Sequence, residues 1–231
     1  MVREKTVARP GRRKVHYDES RWGLLRGKRS AALPVMRDLA AFDPIVHGSL
    51  ARGDVGPQSD IDIVLTTPIP SYRIELSLGE ARPIRREIVQ ATPWHLVKGH
   101  IYLDEDLSVT FPMVKPSELE EQFYYFGGAI GLGEMEGEVR RPGIDKRLML
   151  IEPTSDGHVE SSVVGREAIA AKRVGIGIEI VEERVEVLSK RDAVGRTGVY
   201  LKRALSPQES FEEVLRRLAA GDPNLKRRTV L

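Results

Sequence analysis

Alternation of hydrophobic and polar residues predicts most of the strands of this chain. Residues 60–67 place isoleucine or leucine at every second position, so one face of the strand is apolar and the other carries Asp60 and Asp62. Residues 95–114 predict a β-hairpin with an acidic turn at 104–106. Further strands, each bounded by turn residues, are predicted at 44–48, 85–92, 146–154, 176–189 and 197–205.

Apolar residues spaced three or four positions apart predict helices elsewhere. The most regular helix is predicted at 206–223, where Ser206 is the expected N-cap and Glu209 completes a capping box. Residues 30–42 predict a short helix with Pro34 in its first turn. Further helices are predicted at 71–81, 115–126 and 165–175, and in the second of these Ser117 is the expected cap with Glu120 three residues on.

The mixture of strands and helices predicts an α+β protein with two domains. Residues 127–143 hold six glycines and one proline, a composition typical of a domain boundary. We therefore expect a basic N-terminal arm at 1–22, a first domain at 23–127, a Gly-rich linker at 128–143 and a smaller C-terminal α+β domain at 144–231.

Charge is distributed unevenly, although the formal net charge is only +2. Residues 1–14 carry six basic side chains against Glu4, and Lys226, Arg227 and Arg228 stand near the other end. Such basic segments can contact phosphate backbones, and they are equally typical of solvated tails. Nucleic acid is therefore one class of partner that the charge pattern allows.

Composition limits the compartment and the chemistry. The 231 residues include no cysteine, which excludes disulfides, thiolate metal sites and cysteine nucleophiles. No apolar run approaches the roughly 20 residues that a membrane-spanning helix needs, and no secretory signal is recognised, so we expect a cytoplasmic protein. A single asparagine beside many arginines and glutamates suggests a thermophilic source.

The stretch Val46–Leu65, VHGSLARGDVGPQSDIDIVL, combines two features that point to chemistry. Asp60 and Asp62 project to the same side of a strand, where two unpaired carboxylates repel each other unless a cation lies between them. Mg²⁺ prefers one or two carboxylates together with substrate phosphate oxygens. Gly48 and Ser49 supply a thin turn whose N–H groups and hydroxyl can bind a phosphate. The stretch therefore predicts phosphoryl or nucleotidyl transfer.

Gly48-Ser49-Leu50-Ala51-Arg52-Gly53 followed by Ser59-Asp60-Ile61-Asp62 resembles the signature of nucleotidyltransferases of the DNA polymerase β superfamily. The likeness covers about residues 30–95 and is nearest to the compact predicted archaeal nucleotidyltransferases. It implies a mixed β-sheet with flanking helices, in which the Asp-x-Asp pair binds the metals. It also implies that Gly48, Ser49, Arg52 and Gly53 contact the nucleotide.

The resemblance further implies a third carboxylate on a later strand, and three residues compete for that place. Glu87 lies on the strand predicted at 85–92 and is preferred as third metal ligand or base. Asp104 and Asp106 suit the longer spacing of larger relatives, but they fall in the predicted hairpin turn, where acids are common.

The resulting hypothesis is a Mg²⁺- or Mn²⁺-dependent enzyme that transfers a nucleoside monophosphate from an NTP, such as ATP, to an acceptor hydroxyl and releases pyrophosphate. The acceptor would be RNA, a protein side chain or a small molecule, and the oligomeric state stays open. The alternative is a non-catalytic nucleotide- or RNA-binding module with the same fold. Trp94 is one of several aromatic residues that would either stack on a base or pack internally.

Overall fold

The computed structural model describes residues 11–79, 81–195 and 198–229. The strands are β1 (Arg12–His16), β2 (Ile45–His47), β3 (Ile61–Val64), β4 (Arg85–Gln90), β5 (Val97–Tyr102), β6 (Leu107–Pro112), β7 (Ala129–Gly131), β8 (Gly143–Ile144), β9 (Met149–Thr154), β10 (Gly157–Ser162) and β11 (Leu201–Ala204). The helices are α1 (Glu19–Asp38), α2 (Ser49–Arg52), α3 (Ser71–Ser77), α4 (Glu118–Phe126), α5 (Leu132–Glu136), α6 (Glu167–Val174), α7 (Ile178–Val194), α8 (Phe211–Gly221) and α9 (Pro223–Thr229), with a short 3-10 helix at Ala40–Phe42. The α+β class is thereby confirmed.

The chain divides into two compact units that interleave along the sequence. Unit 1 comprises Met1–Ala31, Val46–Ser59 and Glu121–Thr197, and unit 2 comprises Ala32–Ile45, Asp60–Glu120 and Gly198–Leu231. The first domain predicted at 23–127 thus contributes residues to both units, and so does the C-terminal domain predicted at 144–231. The predicted linker at 128–143 contains β7 and α5 and lies within unit 1.

Unit 1 contains a four-stranded antiparallel sheet in the order β1-β10-β9-β8. Residues 12–16 of the predicted basic arm are its edge strand β1, and residues 19–22 begin α1, while residues 1–10 lie outside the described part of the chain. The strand β2 lies beside β7 in this unit, joined where the Gly48 N–H donates to the Gly128 carbonyl at 3.0 Å.

The helix α7 corrects a predicted strand at 176–189. Isoleucine and valine are frequent there and favour a strand locally. In the structure Ile180 and Val181 are buried in the core of unit 1, and Val185 and Leu188 pack against the same cluster. The spacing of 181, 185 and 188 is that of one helix face, so packing against the core overrides the local preference.

Two further predicted helices begin at other residues than expected. The helix predicted at 30–42 is the end of the longer α1, which contains Pro34 in its interior. The helix α8 begins later than expected, because Ser210 rather than Ser206 is its N-cap, and the Ser210 side chain accepts from the Glu213 N–H. The capping box predicted for α4 is confirmed by hydrogen bonds between Ser117 and Glu120 in both directions.

Unit 2 contains five strands in the order β11-β4-β5-β6-β3. All neighbours are antiparallel except β3 and β6, which are parallel. The predicted hairpin is confirmed as β5 and β6, with the acidic residues 104–106 in its turn.

The two faces of this sheet differ in polarity because side chains alternate along each strand and directly opposed residues share a face. We call one side the polar face. Its first row is Asp62, Ser108, Tyr102 and Arg85. Its second row is Val64, Thr110, His100 and Glu87. The other face is apolar, and there Phe111 packs edge-on against Phe211 of α8 at a centroid distance of 5.1 Å.

No helix within the described ranges has an apolar stretch long enough to cross a membrane.

We expect Gly99→Ala to destabilise unit 2 because Gly99 lies beneath the Phe111 ring. A Cβ on Gly99 would lie 2.3 Å from Phe111 Cζ, so the ring must move. Overpacking of this kind costs about 1–3 kcal/mol of the free energy of unfolding, which urea denaturation would measure. Gly23→Ala is the matched control, because Gly23 lies within α1 with open space around it and alanine favours the helix. Equal urea midpoints for Gly99→Ala and the wild type would contradict the packing described.

Candidate active site

The turn after β2 depends on two glycines with positive φ angles. Gly48 has φ 75° and ψ −143°, and Gly53 has φ 92°, values that residues with a side chain rarely adopt. Gly53 ends α2 by donating its N–H to the Ser49 carbonyl at 2.7 Å, and a Cβ on Gly53 would lie 2.4 Å from Arg140 Cδ. Glycine is thus required at both ends of α2 for conformational reasons, independently of any ligand.

Ser49 is the residue of this turn with a side chain available for a substrate. It is half-buried, and its hydroxyl makes no hydrogen bond to any residue in the described part of the chain. No heavy atom lies within 4 Å of the position that a Cβ on Gly48 would take, so space remains beside it. These features suit a turn that receives a phosphate.

Arg52, predicted to contact the nucleotide, is paired within unit 1 in this structure. Its guanidinium donates to the Gly127 carbonyl at 2.6 Å and to Asp54 Oδ2 at 3.0 Å, and Nε lies 3.0 Å from Asp54 Oδ1. Both side chains of this pair are buried. Its donors are therefore directed at groups within unit 1, and its contact with a phosphate stays a prediction.

Asp60 and Asp62 flank the start of β3 in unit 2. Asp60 is exposed just before the strand, and Asp62 is half-buried within it. Ser108 Oγ, directly opposite on β6, donates to Asp62 Oδ1 at 3.0 Å. This bond orients one carboxylate oxygen and leaves the other available for a cation.

One comparison with known proteins gave a match. Residues 38–124 match the family model described as "Nucleotidyltransferase domain". This segment, somewhat more than a third of the chain, is therefore similar to nucleotidyltransferase domains. The matched segment includes the turn at Gly48 and Ser49 and the pair Asp60 and Asp62, so the predicted membership of the DNA polymerase β superfamily of nucleotidyltransferases is supported by an independent comparison. Searches among curated proteins and among solved structures gave no match.

Glu87 lies within the matched segment but not beside the aspartate pair. It is on β4, three strands from β3 in the order β4-β5-β6-β3, and strand spacings of about 4.8 Å put it roughly 14 Å away. Glu87 is buried, and its carboxylate lies 3.3 Å from Arg85 Nε and 3.5 Å from Lys202 Nζ. The structure therefore does not bring Glu87 together with Asp62, and its place as third ligand stays a prediction that this position does not favour.

Asp106 lies nearer to the pair than the other acids proposed for the third position. Its carbonyl accepts the Ile61 N–H at 2.7 Å, which places the start of β6 beside the start of β3. Asp104 lies earlier in the turn, where its carboxylate accepts the Glu105 N–H. Among residues 11–79, 81–195 and 198–229, no three His, Cys, Asp or Glu side chains are grouped as ligands of one ion.

Sequence reasoning missed the part that Ser108 takes in this site. Register places Ser108, rather than an acid, directly opposite Asp62. The alternating polar residues Ser108 and Thr110 in an otherwise apolar strand were the available signal. Their partners depend on which strand lies next to β6, and spacing along the sequence does not contain that information.

His100 belongs to the polar face, where it lies opposite Thr110 and Glu87. His100 Nδ1 is 2.9 Å from Thr110 Oγ1, while His95 hydrogen-bonds Thr92. Burial, reinforced by the nearby Lys98 ammonium and opposed by Asp62 and Glu87, lowers the pKa of His100 to about 4. The imidazole is therefore neutral at physiological pH and available as a hydrogen-bonding group.

We expect Arg52→Ala to destabilise unit 1 by about 3–5 kcal/mol, because it leaves the buried Asp54 carboxylate without its partner. Arg52→Lys should also be destabilising, since a single ammonium cannot reproduce the contacts to both Asp54 and Gly127. Urea denaturation measures both variants. If Arg52→Lys kept full stability and lost only affinity for NTP, Arg52 would be a phosphate ligand after all.

His100 should also make stability depend on pH. Its pKa is lower in the folded state than the unfolded value near 6.5, so the unfolded chain binds more protons between pH 6.5 and 4. The stabilisation is complete above about pH 6.5 and is lost as the pH falls towards 4, by up to about 1.4 kcal/mol per pH unit. The difference in the free energy of unfolding between pH 7 and pH 4.5 should be smaller in His100→Gln, and an unchanged difference would refute this assignment.

Proposed function

We propose that this protein is a metal-dependent nucleotidyltransferase, which joins a nucleoside monophosphate from an NTP to an acceptor hydroxyl and releases pyrophosphate. The observation that carries the proposal is the match of residues 38–124, which contain both the Gly48-Ser49 turn and the Asp-x-Asp pair. The free hydroxyl of Ser49 and the oriented carboxylate of Asp62 support it from the structure.

Asp60 and Asp62 are the residues that would hold a divalent cation, Mg²⁺ or Mn²⁺. Two carboxylates in alternate positions at a strand end, one of them fixed by Ser108, match the preference of Mg²⁺ for few protein ligands and several phosphate oxygens. When bound, such an ion neutralises charge that develops on the transferring phosphoryl group. The chain's own contribution is to hold the two carboxylates in place.

The remaining roles are assigned by position within each unit. In unit 1, Gly48, Ser49 and Gly53 form the turn that would receive the triphosphate, with Ser49 Oγ as its hydrogen-bond donor. In unit 2, we assign the third carboxylate to Asp106 rather than Glu87, because Asp106 directly precedes β6 and its carbonyl accepts the Ile61 N–H at the start of β3. The identity of the NTP is left to experiment.

A second candidate function is a nucleotide-binding module without turnover. Ser108 lies directly opposite Asp62, at a position where an acid would complete a cluster of three. This register favours a protein that keeps the fold and the nucleotide site but transfers nothing.

We expect Asp60→Asn and Asp62→Asn each to lower turnover by at least about 100-fold, because each removes a carboxylate that neutralises phosphoryl charge through the cation. Turnover is measured as incorporation from each of the four α-³²P-labelled NTPs into total RNA or into the protein itself, with Mg²⁺ or Mn²⁺. Asp106→Asn should also lower it, whereas Glu87→Gln should leave the rate of the folded enzyme nearly unchanged.

The same assay separates the two candidate functions. Incorporation that survives in Asp62→Asn would rule out the proposed mechanism. Nucleotide binding without incorporation under any condition would establish the non-catalytic module instead.

A further inference from the structure

Trp94 is unusually exposed for a tryptophan and stands beside positive charge. It lies in the loop between β4 and β5 with 68% of its surface accessible, although tryptophans are on average largely buried. The guanidinium of Arg227, on α9, lies 5.9 Å from the Trp94 ring centroid. Neither packing nor the aspartate site explains why unit 2 presents this ring to solvent.

Tyr200 brings a second exposed aromatic ring to the same part of unit 2. Its N–H donates to the Ala91 carbonyl at 3.1 Å, next to the loop that carries Trp94. Its hydroxyl donates to Asp222 Oδ2 at 2.6 Å at the start of α9, and 40% of the residue remains accessible. Tyr200 is therefore held by its polar tip while its ring stays exposed.

Arg227, against the Trp94 ring, and Lys226, the residue before it on α9, carry positive charge. Both are exposed on α9, and within the described part of the chain neither has a carboxylate partner. The carboxylate of Asp222, which directly precedes α9, accepts from the Tyr200 hydroxyl and from the N–H groups of Asn224 and Leu225. We call Trp94, Tyr200, Lys226 and Arg227 the Trp94 surface.

Exposed aromatic rings beside unpaired cations fit one ligand chemistry well. Single-stranded nucleic acid offers unpaired bases that stack on aromatic faces and phosphates that attract lysine and arginine. A duplex keeps its bases stacked internally and cannot use such rings. Base stacking is tolerant of sequence, so a surface of this kind binds strands generally.

We propose that the Trp94 surface binds single-stranded nucleic acid, with a base stacked on Trp94 and phosphates on Lys226 and Arg227. The further statement that this strand is the acceptor of the transferred nucleotide rests on the proposed function. Binding itself does not, because the Trp94 surface contains none of the residues assigned to the metal or the triphosphate.

Binding is tested with a fluorescein-labelled 20-nucleotide oligouridylate by fluorescence anisotropy, without NTP or metal. Trp94→Ala should raise Kd about tenfold, as expected for the loss of one stacked base. Tyr72→Ala is the matched control, because Tyr72 is an exposed aromatic residue of unit 2 with 65% accessibility that lies on α3. Equal Kd values for Trp94→Ala, Tyr72→Ala and the wild type would overturn the proposal.

Salt dependence tests the two cations separately. The double variant Lys226→Ala, Arg227→Ala should reduce the slope of log Kobs against log[salt] by about 1.4, from two single-strand phosphate contacts. The matched control is Arg37→Ala, which removes an exposed cation from α1 and should leave the slope unchanged. An unchanged slope in the double variant would exclude phosphate binding at this surface.

Fluorescence reports the stacking directly, because Trp22 and Trp94 are the two tryptophans of the chain. In Trp22→Phe the remaining emission comes from Trp94 and should be quenched as the oligonucleotide binds. The same sequence as DNA distinguishes a preference for RNA from general single-strand binding, and either supports the proposal. Equal affinity for duplex RNA, or Trp94-dependent binding only to phosphatidylglycerol vesicles, would contradict it.

Turnover separates this inference from the proposed function. If the oligonucleotide is an acceptor, Trp94→Ala should raise its KM with little change in kcat. If the wild type binds the oligonucleotide through Trp94 but shows no turnover, the nucleic-acid surface is supported and the proposed activity is refuted. If RNA is a substrate and its KM is the same in Trp94→Ala and in the wild type, the Trp94 surface does not bind the acceptor.

Discussion

The parallel pairing of β3 with β6 is the constraint on which the candidate site of unit 2 depends. It places Ser108 opposite Asp62 and allows the hydroxyl to donate to the carboxylate. Because side chains alternate along each strand, a shift of register by one residue would turn Asp62 towards Phe111 and the apolar face. The hydrophobic packing of that face therefore also fixes the direction of the carboxylate.

In unit 1, several arginine side chains donate hydrogen bonds to backbone carbonyls. Arg29 donates to the carbonyls of Leu50 and Val139, and burial lowers its pKa to about 10. Arg52 and Arg140 likewise bind backbone carbonyls of this unit. Arg29 and Arg52 thereby link α2 to the segments at Val139 and Gly127, and each supplies donors to carbonyl acceptors.

Local patterns predicted much of the fold, and the errors share a physical cause. The hairpin of β5 and β6 and the capping box at Ser117 follow from neighbouring residues, and both were predictable. The helix α7 was not, because its valines and isoleucines favour a strand until the core of unit 1 is known. Of the site, Asp60, Asp62 and the glycines of the turn were recognisable from their spacing. Glu87 and Arg52 were assigned from spacing too, but their actual partners follow from strand order and burial, which spacing does not reveal.

The connection between β3 and β6 also has a kinetic consequence. Asp62 and Ser108 are 46 positions apart, and α3, β4 and β5 lie between them along the chain. Antiparallel neighbours such as β5 and β6 close short loops, whereas a parallel pair so distant in sequence closes a long one at greater entropic cost. During folding, the antiparallel strands β4, β5 and β6 should therefore pair first, and β3 should join β6 last. A chain still emerging from the ribosome would acquire its oriented aspartate only after β6 had been synthesised.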